Sequence, residues 1–307
     1  MLTNFFSKSK PFNYILVSLY LIGGCIFWLL YNTNFEISVG NISRISGYIL
    51  GFLFLLFLLN FIIRKNKLTK INTYPILIFS AFLLMYPIVL EEVNVVVSAA
   101  FILLSLRRIL SLSSDKNTKK KILDASLWIS IAAFFYFWSL LFFVVLFVAI
   151  INKASKNYKL FFIPFVGFLA VFTLITVYYL LMEDVLLWFL NSNYQIGFDF
   201  SVYKNVKIII PTVFLLLSLI VSVLNRNFNS LTISLKEKSK FNLLLFSLFV
   251  GLSIIIITPQ KNGSELIFLF APLAIFVTYL IETVSKKWVS ELLLTLMILL
   301  PFVIPFL

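Results

Sequence analysis

The chain has 307 residues, 62% of them hydrophobic and only 12% charged, about half the charged share of a soluble domain. Lys and Arg number 25 against 12 Asp and Glu, the formal charge is +13, histidine is absent and Cys25 is the single cysteine. Those absences exclude Ser-His catalysis, histidine-ligated haem or zinc, histidine-dependent membrane acyl transfer, an intramolecular disulfide and a cysteine-based metal site. Acid–base chemistry then falls to Asp, Glu, Lys, Tyr or water.

Apolar runs of about 17 residues or more recur along nearly the whole length, and in water they could not all be hidden. Helices satisfy their own backbone hydrogen bonds in lipid, so the pattern predicts an all-α, polytopic membrane helical bundle. The first run, residues 14–31, follows Lys8 and Lys10 and lacks a small-residue cleavage site, which predicts an uncleaved first helix. Residues 32–45 form a loop with Glu36 and Arg44, and a second helix over 46–63 ends on Arg64, Lys65, Lys67 and Lys70. A third helix stops at residues 87–90, where Glu91-Glu92-Val93-Asn94 turns the chain into a fourth, 95–106, which ends on Arg107-Arg108. A long basic loop follows with Lys116 and Lys119-Lys120-Lys121.

Residues 122–151 are long for one crossing and short for two, and charge decides between them. A short, bent hairpin around residues 136–139 gives about 11 transmembrane helices, with the amino terminus inside and the carboxyl terminus outside. All but four of the basic residues then lie inside, the exceptions being Arg44, Lys204, Lys207 and Lys261. A single crossing would invert everything downstream and spread the basic residues over both sides. The remaining expected spans are 160–182, 208–224, 242–258, 266–281 and 289–307. The 183–207 loop carries Trp188 in a stretch, 185–190, suited to the interface. No repeat or soluble domain is evident, so residues 1–307 read as a single integral membrane domain. The basic residues sit in short loops between apolar runs, which makes the lipid bilayer, and no nucleic acid, the expected partner.

The same topology puts Glu36, Glu91, Glu92, Glu183, Asp184, Asp199 and Glu265 outside. Glu91 and Glu92 are the strongest catalytic candidates, because their turn is only about four residues long and holds both carboxylates near the membrane surface. Two such groups could share a divalent cation with water ligands, or divide the work of base and substrate orientation. A plain polar helix–helix turn is the competing reading. A second constellation is PQKNGSELIFLFAPL, residues 259–273, where Lys261 beside a helix amino terminus fits a phosphate. An incidental charged turn is the alternative there. Arg107 and Arg108 read as topology anchors, with a lipid-headgroup role as the second option.

Glu36, the Glu91–Glu92 turn and the late Pro-x-Lys-x-x-x-Glu turn before Ala271-Pro272 resemble integral-membrane glycosyltransferases of the C type. The run from Asn94 through Arg107-Arg108 to the hairpin resembles the middle of such enzymes. The resemblance implies a polyprenyl-phosphate sugar donor. It makes Glu36 the base, Glu91 or Glu92 a metal or acceptor ligand, and Lys261 a contact for the lipid phosphate. The chain departs from that pattern in having Glu36 in place of aspartate, a very short first outer loop and no large outer domain. The opening LTNFFSKSKP is similar to a bacterial inner-membrane family without an assigned activity, which implies a multi-pass protein of the cytoplasmic membrane. The alternatives are a non-enzymatic subunit or scaffold that binds another envelope protein within the membrane, and, third, a transporter.

Overall fold

The computed structural model describes residues 2–32, 39–114, 116–152, 158–187, 189, 195–228, 235–259 and 261–307. Glu36, Asp115 and Trp188 lie outside the described residues, and the expected interfacial stretch 185–190 is covered only in part. In chain order the helices are α1 (Leu2–Phe6), α2 (Pro11–Asn32), α3 (Val39–Asn66), α4 (Tyr74–Met85), α5 (Val93–Ser111) and α6 (Thr118–Phe135). They continue with α7 (Phe142–Ile151), α8 (Ile163–Glu183), α9 (Val206–Phe228), α10 (Leu235–Ile257), α11 (Ile267–Thr283) and α12 (Lys287–Val303). No strand occurs among the described residues. Eight of the helices (α2, α3, α5 and α8 to α12) are long and apolar enough to cross a membrane; α4 and the 137–151 stretch are shorter and apolar.

The protein is an all-helical, multi-pass membrane protein. The exposed residues of α8 make the point physically: Phe165, Leu174 and Leu181 are 57%, 72% and 76% exposed. An apolar surface of that extent is a liability in water and ordinary in hydrocarbon.

The described residues fall into two compact units. Unit 1 comprises Met1–Val93, Phe200–Ser234 and Asn262–Leu307. Its centre is α4, every residue of which is buried, packed against α2, α3, α11 and α12. A helix that is apolar all round has no face to give to solvent, and this one is enclosed by its neighbours. At 12 residues it is about 18 Å long, well short of a hydrocarbon core of about 30 Å. Pro87 explains its end: the ring disfavours a helical Tyr86, which adopts φ −126° and ψ 73° before a 3-10 turn over Pro87–Leu90.

One end of unit 1 is fastened by carboxylates that accept from backbone. Glu291 takes the Thr3 amide at 3.1 Å, and Glu282 takes the Lys70 amide at 3.0 Å, tying α1 and the α3–α4 connection to α12 and α11. Arg64 donates to Ser9 and Tyr14, and Arg226 stacks 4.5 Å from the Tyr279 ring centre.

Unit 2 comprises Asn94–Asp199 and Leu235–Lys261. Here α6 lies along α8 and α7 packs against α6 and α10. Phe101 of α5 stacks on Trp128 at 5.6 Å and Phe135 at 5.9 Å of α6. Helix α6 stops at Tyr136, which is extended at φ −145° and ψ 104°, and a 3-10 turn over Phe137–Leu141 leads into α7. The expected bend at residues 136–139 is therefore a real break, made without proline.

Candidate functional site

The Glu91–Glu92 turn of unit 1 lies beside the turn that opens α11. Residues 262–265, Asn-Gly-Ser-Glu, are folded by their own side chains. Asn262 Oδ1 accepts from the Ser264 amide at 3.0 Å and from the Ser264 hydroxyl at 2.7 Å. Gly263 takes φ +97°, a left-handed conformation that costs glycine nothing. Glu265 Oε2 accepts from the Gly263 amide at 2.9 Å and the Asn262 amide at 3.4 Å, while Tyr203 donates its hydroxyl to Oε1 at 2.9 Å. Glu265 is 1% exposed, and these bonds replace the water it has lost.

The product of this folding is the direction of the Asn262 amide, whose Nδ2 donates to Glu92 Oε1 at 2.7 Å. Glu92 is half-buried and oriented by that bond; Glu91, its neighbour, is exposed. Below the turn, Tyr86 donates to Thr212 Oγ1 at 2.9 Å and stacks on Phe270, with ring centres 5.6 Å apart. The two adjacent carboxylates thus become unlike, one fixed by an amide and one open to solvent. Among the described residues no three His, Cys, Asp or Glu side chains gather as a metal-holding group.

A family described as being of unknown function, DUF6427, matches residues 1–306. The chain belongs to the DUF6427 family. No curated protein and no solved structure matches it.

The other site candidates of this DUF6427 chain stand as follows. Glu36 lies outside the described residues. Lys261 belongs to unit 2, is 5% exposed, and donates Nζ to the carbonyls of Thr258 and Gly197, each at 2.6 Å. The expected position was beside the start of the next helix; the ammonium in fact serves the end of the preceding one, α10. That end has carbonyls without helical partners, where a cation is favoured by the helix dipole. Ile254 O receives the Thr258 amide and hydroxyl, Ile257 O receives the Gly197 amide at 3.1 Å, and Thr258 O receives Lys261. Lys261 therefore straps the backbone at Gly197 onto α10.

Sequence reasoning placed Asn262 and Glu265 within the 259–273 constellation without giving either a role, and it did not single out Tyr203. The Asn-Gly-Ser-Glu run carried a readable signal, an Asx turn followed by a left-handed glycine. Tyr203 carried none, since it is 62 residues from its partner.

Proposed function

We propose that this protein is a compact, C-type glycosyltransferase-like enzyme of the bacterial inner membrane, acting at the outer face on a sugar carried by a polyprenyl phosphate. The observation that supports it most is Glu92, a half-buried carboxylate held at 2.7 Å by Asn262 on a turn fastened by buried Glu265. In this reading the free oxygen of Glu92 takes the proton of an acceptor hydroxyl. The acceptor oxygen bonds to the sugar's anomeric carbon, and the bond from that carbon to the lipid phosphate breaks, the phosphate leaving with the electron pair. Glu91, exposed beside it, is placed to meet acceptor or cation, and Glu36 remains a second candidate base. The outer assignment is supported by the distribution of charge. Arg64, Lys65, Lys67 and Lys70 lie between the end of α3 and the start of α4, whereas the Glu91–Glu92 turn follows the other end of α4.

The test is envelope glycan composition in cells carrying Glu92→Gln or Asn262→Ala, with insertion of each variant verified by protease accessibility. Loss of one glycan in both, with normal insertion, is the expected result. Unchanged glycans in both variants, together with a stoichiometric partner recovered in mild detergent, would instead support a non-enzymatic envelope subunit.

A further inference from the structure

Six cations crowd the connection between α5 and α6: Arg107, Arg108, Lys116, Lys119, Lys120 and Lys121. Two of them have a defined structural task. Arg108 pairs with Asp124 at 2.8 Å. Lys121 Nζ donates to the Ser111 carbonyl at 2.7 Å and to the Ser114 carbonyl and hydroxyl at 3.0 Å and 2.6 Å, closing the end of α5. Lys116, Lys119 and Lys120 differ: all three are exposed, and none forms an ion pair among the described residues. Nor do they serve the helix. Lys119 and Lys120 occupy the first turn of α6, where no acidic residue balances them and where positive charge opposes the helix dipole.

Several cations at other loops have a partner within the fold. Arg64 donates to Ser9 and Tyr14, Lys65 lies 5.4 Å over the Phe61 ring, and Arg226 lies over Tyr279. The three lysines before and within the start of α6 repel one another and have no partner of opposite charge among the described residues, an arrangement that external negative charge would stabilise. Their depth says which charge. Helix α5 is a membrane-spanning candidate that ends at Ser111, and α6 turns apolar at Ile122, so the positive-inside pattern would put residues 116–120 at headgroup level.

We propose that Lys116, Lys119 and Lys120 form a contact surface for the phosphodiester headgroups of anionic phospholipid in the leaflet that flanks the α5–α6 connection. The surface is independent of any catalytic reading of the Glu91–Glu92 turn. Each lysine near an anionic membrane surface strengthens binding about fivefold, an attraction that salt screens.

The test uses the full chain purified in neutral detergent, with bound phosphatidylglycerol and phosphatidylcholine measured by native mass spectrometry. The wild type is compared with K116Q/K119Q/K120Q and with K8Q/K10Q/K67Q, which removes the same charge at other exposed lysines. The expected result is a preference for phosphatidylglycerol that falls roughly a hundredfold in the first variant and is kept in the second. Three results would overturn the proposal: an undiminished preference in the first variant, an equal loss in both, or displacement of the lipid by millimolar inorganic phosphate. The substituted side chains are exposed, so folding is not at stake, and the thermal midpoint of each variant checks this.

Discussion

Replacing Lys261 with methionine separates its structural role from ligand binding. The ammonium holds two carbonyls at 2.6 Å each in a nearly solvent-free position, so the substitution leaves both without that donor. A hydrogen bond to a charged group contributes about 1.5–3 kcal/mol, and two sharing one donor are not additive, so the strap at Gly197 loses about 2–4 kcal/mol. Methionine still fills the space of the lysine stem, which confines the effect to the polar end. The Gly197 amide, bonded to Ile257 O at 3.1 Å, is the direct reporter of that strap. Hydrogen exchange followed by mass spectrometry should show peptides covering 195–200 exchanging at least about thirtyfold faster in the variant, because each 1.4 kcal/mol of opening is a factor of ten. Peptides from α4, in the other unit, should not change. If exchange at 195–200 stays at the wild-type rate, Lys261 is not holding that segment.

Gly197→Ala should produce the same exchange pattern with the lysine intact, because the new methyl group would sit 2.6 Å from Pro259 Cα, and backbone cannot rotate aside. At the α6–α8 contact, Gly167→Ala would place its methyl 2.0 Å from Ser126 Oγ and 2.9 Å from Ser126 Cβ. Overpacking of about 1–3 kcal/mol, less about 1 kcal/mol of helix propensity, lowers the thermal midpoint in detergent. Adding Ser126→Gly should relieve the contact, whereas Ser126→Ala should not, since the serine Cβ is the atom that cannot turn away. Glu265→Ala should destabilise unit 1 by about 2–4 kcal/mol in the same assay, by removing the carboxylate that accepts from the Tyr203 hydroxyl and two amides. Glu265→Gln should be much milder, because its amide oxygen can face Gly263 while its NH2 donates to a rotated tyrosine hydroxyl; equal losses would mean the turn depends on the charge.

Hydropathy and charge made the helical membrane class legible, since a chain 62% hydrophobic can hide its apolar runs only in lipid. Pro87 and the Glu91-Glu92 pair marked a helix end and a turn through chemistry that acts within a few residues. The break at Tyr136 was reached indirectly, by asking where basic residues would fall, because no proline or glycine stands there. What held Tyr136 in its extended conformation could not be read, for its partner Thr258 is 122 residues away. The same limit explains Lys261. Its sequence neighbours are the start of the next helix, and its actual acceptors include Gly197, which only folding brings near. Sequence reasoning followed the chain, while the polar groups of this protein are satisfied across it.

The two broken helices reveal what the tyrosines do. Tyr86 and Tyr136 each leave the helical region at a helix end, and each carbonyl then accepts from the amide three residues on at 3.0 Å, starting a 3-10 turn. Each hydroxyl meets a threonine at 2.9 Å, Thr212 in unit 1 and Thr258 in unit 2. Both threonines already donate to the carbonyl four residues back, at 2.6 Å and 2.7 Å, so each tyrosine must be the donor and each threonine the acceptor. A helix that ends inside hydrocarbon exposes carbonyls that lipid cannot satisfy. At each break a 3-10 turn takes up part of the carbonyl demand at the helix end, and the tyrosine ties the turn to a threonine distant in sequence through a bond of defined direction. Only unit 1 adds a proline to the break, and only there does the turn carry carboxylates. The shared device accounts for the shape of both breaks, and the acids of the Glu91–Glu92 turn are what distinguish the one proposed to do chemistry.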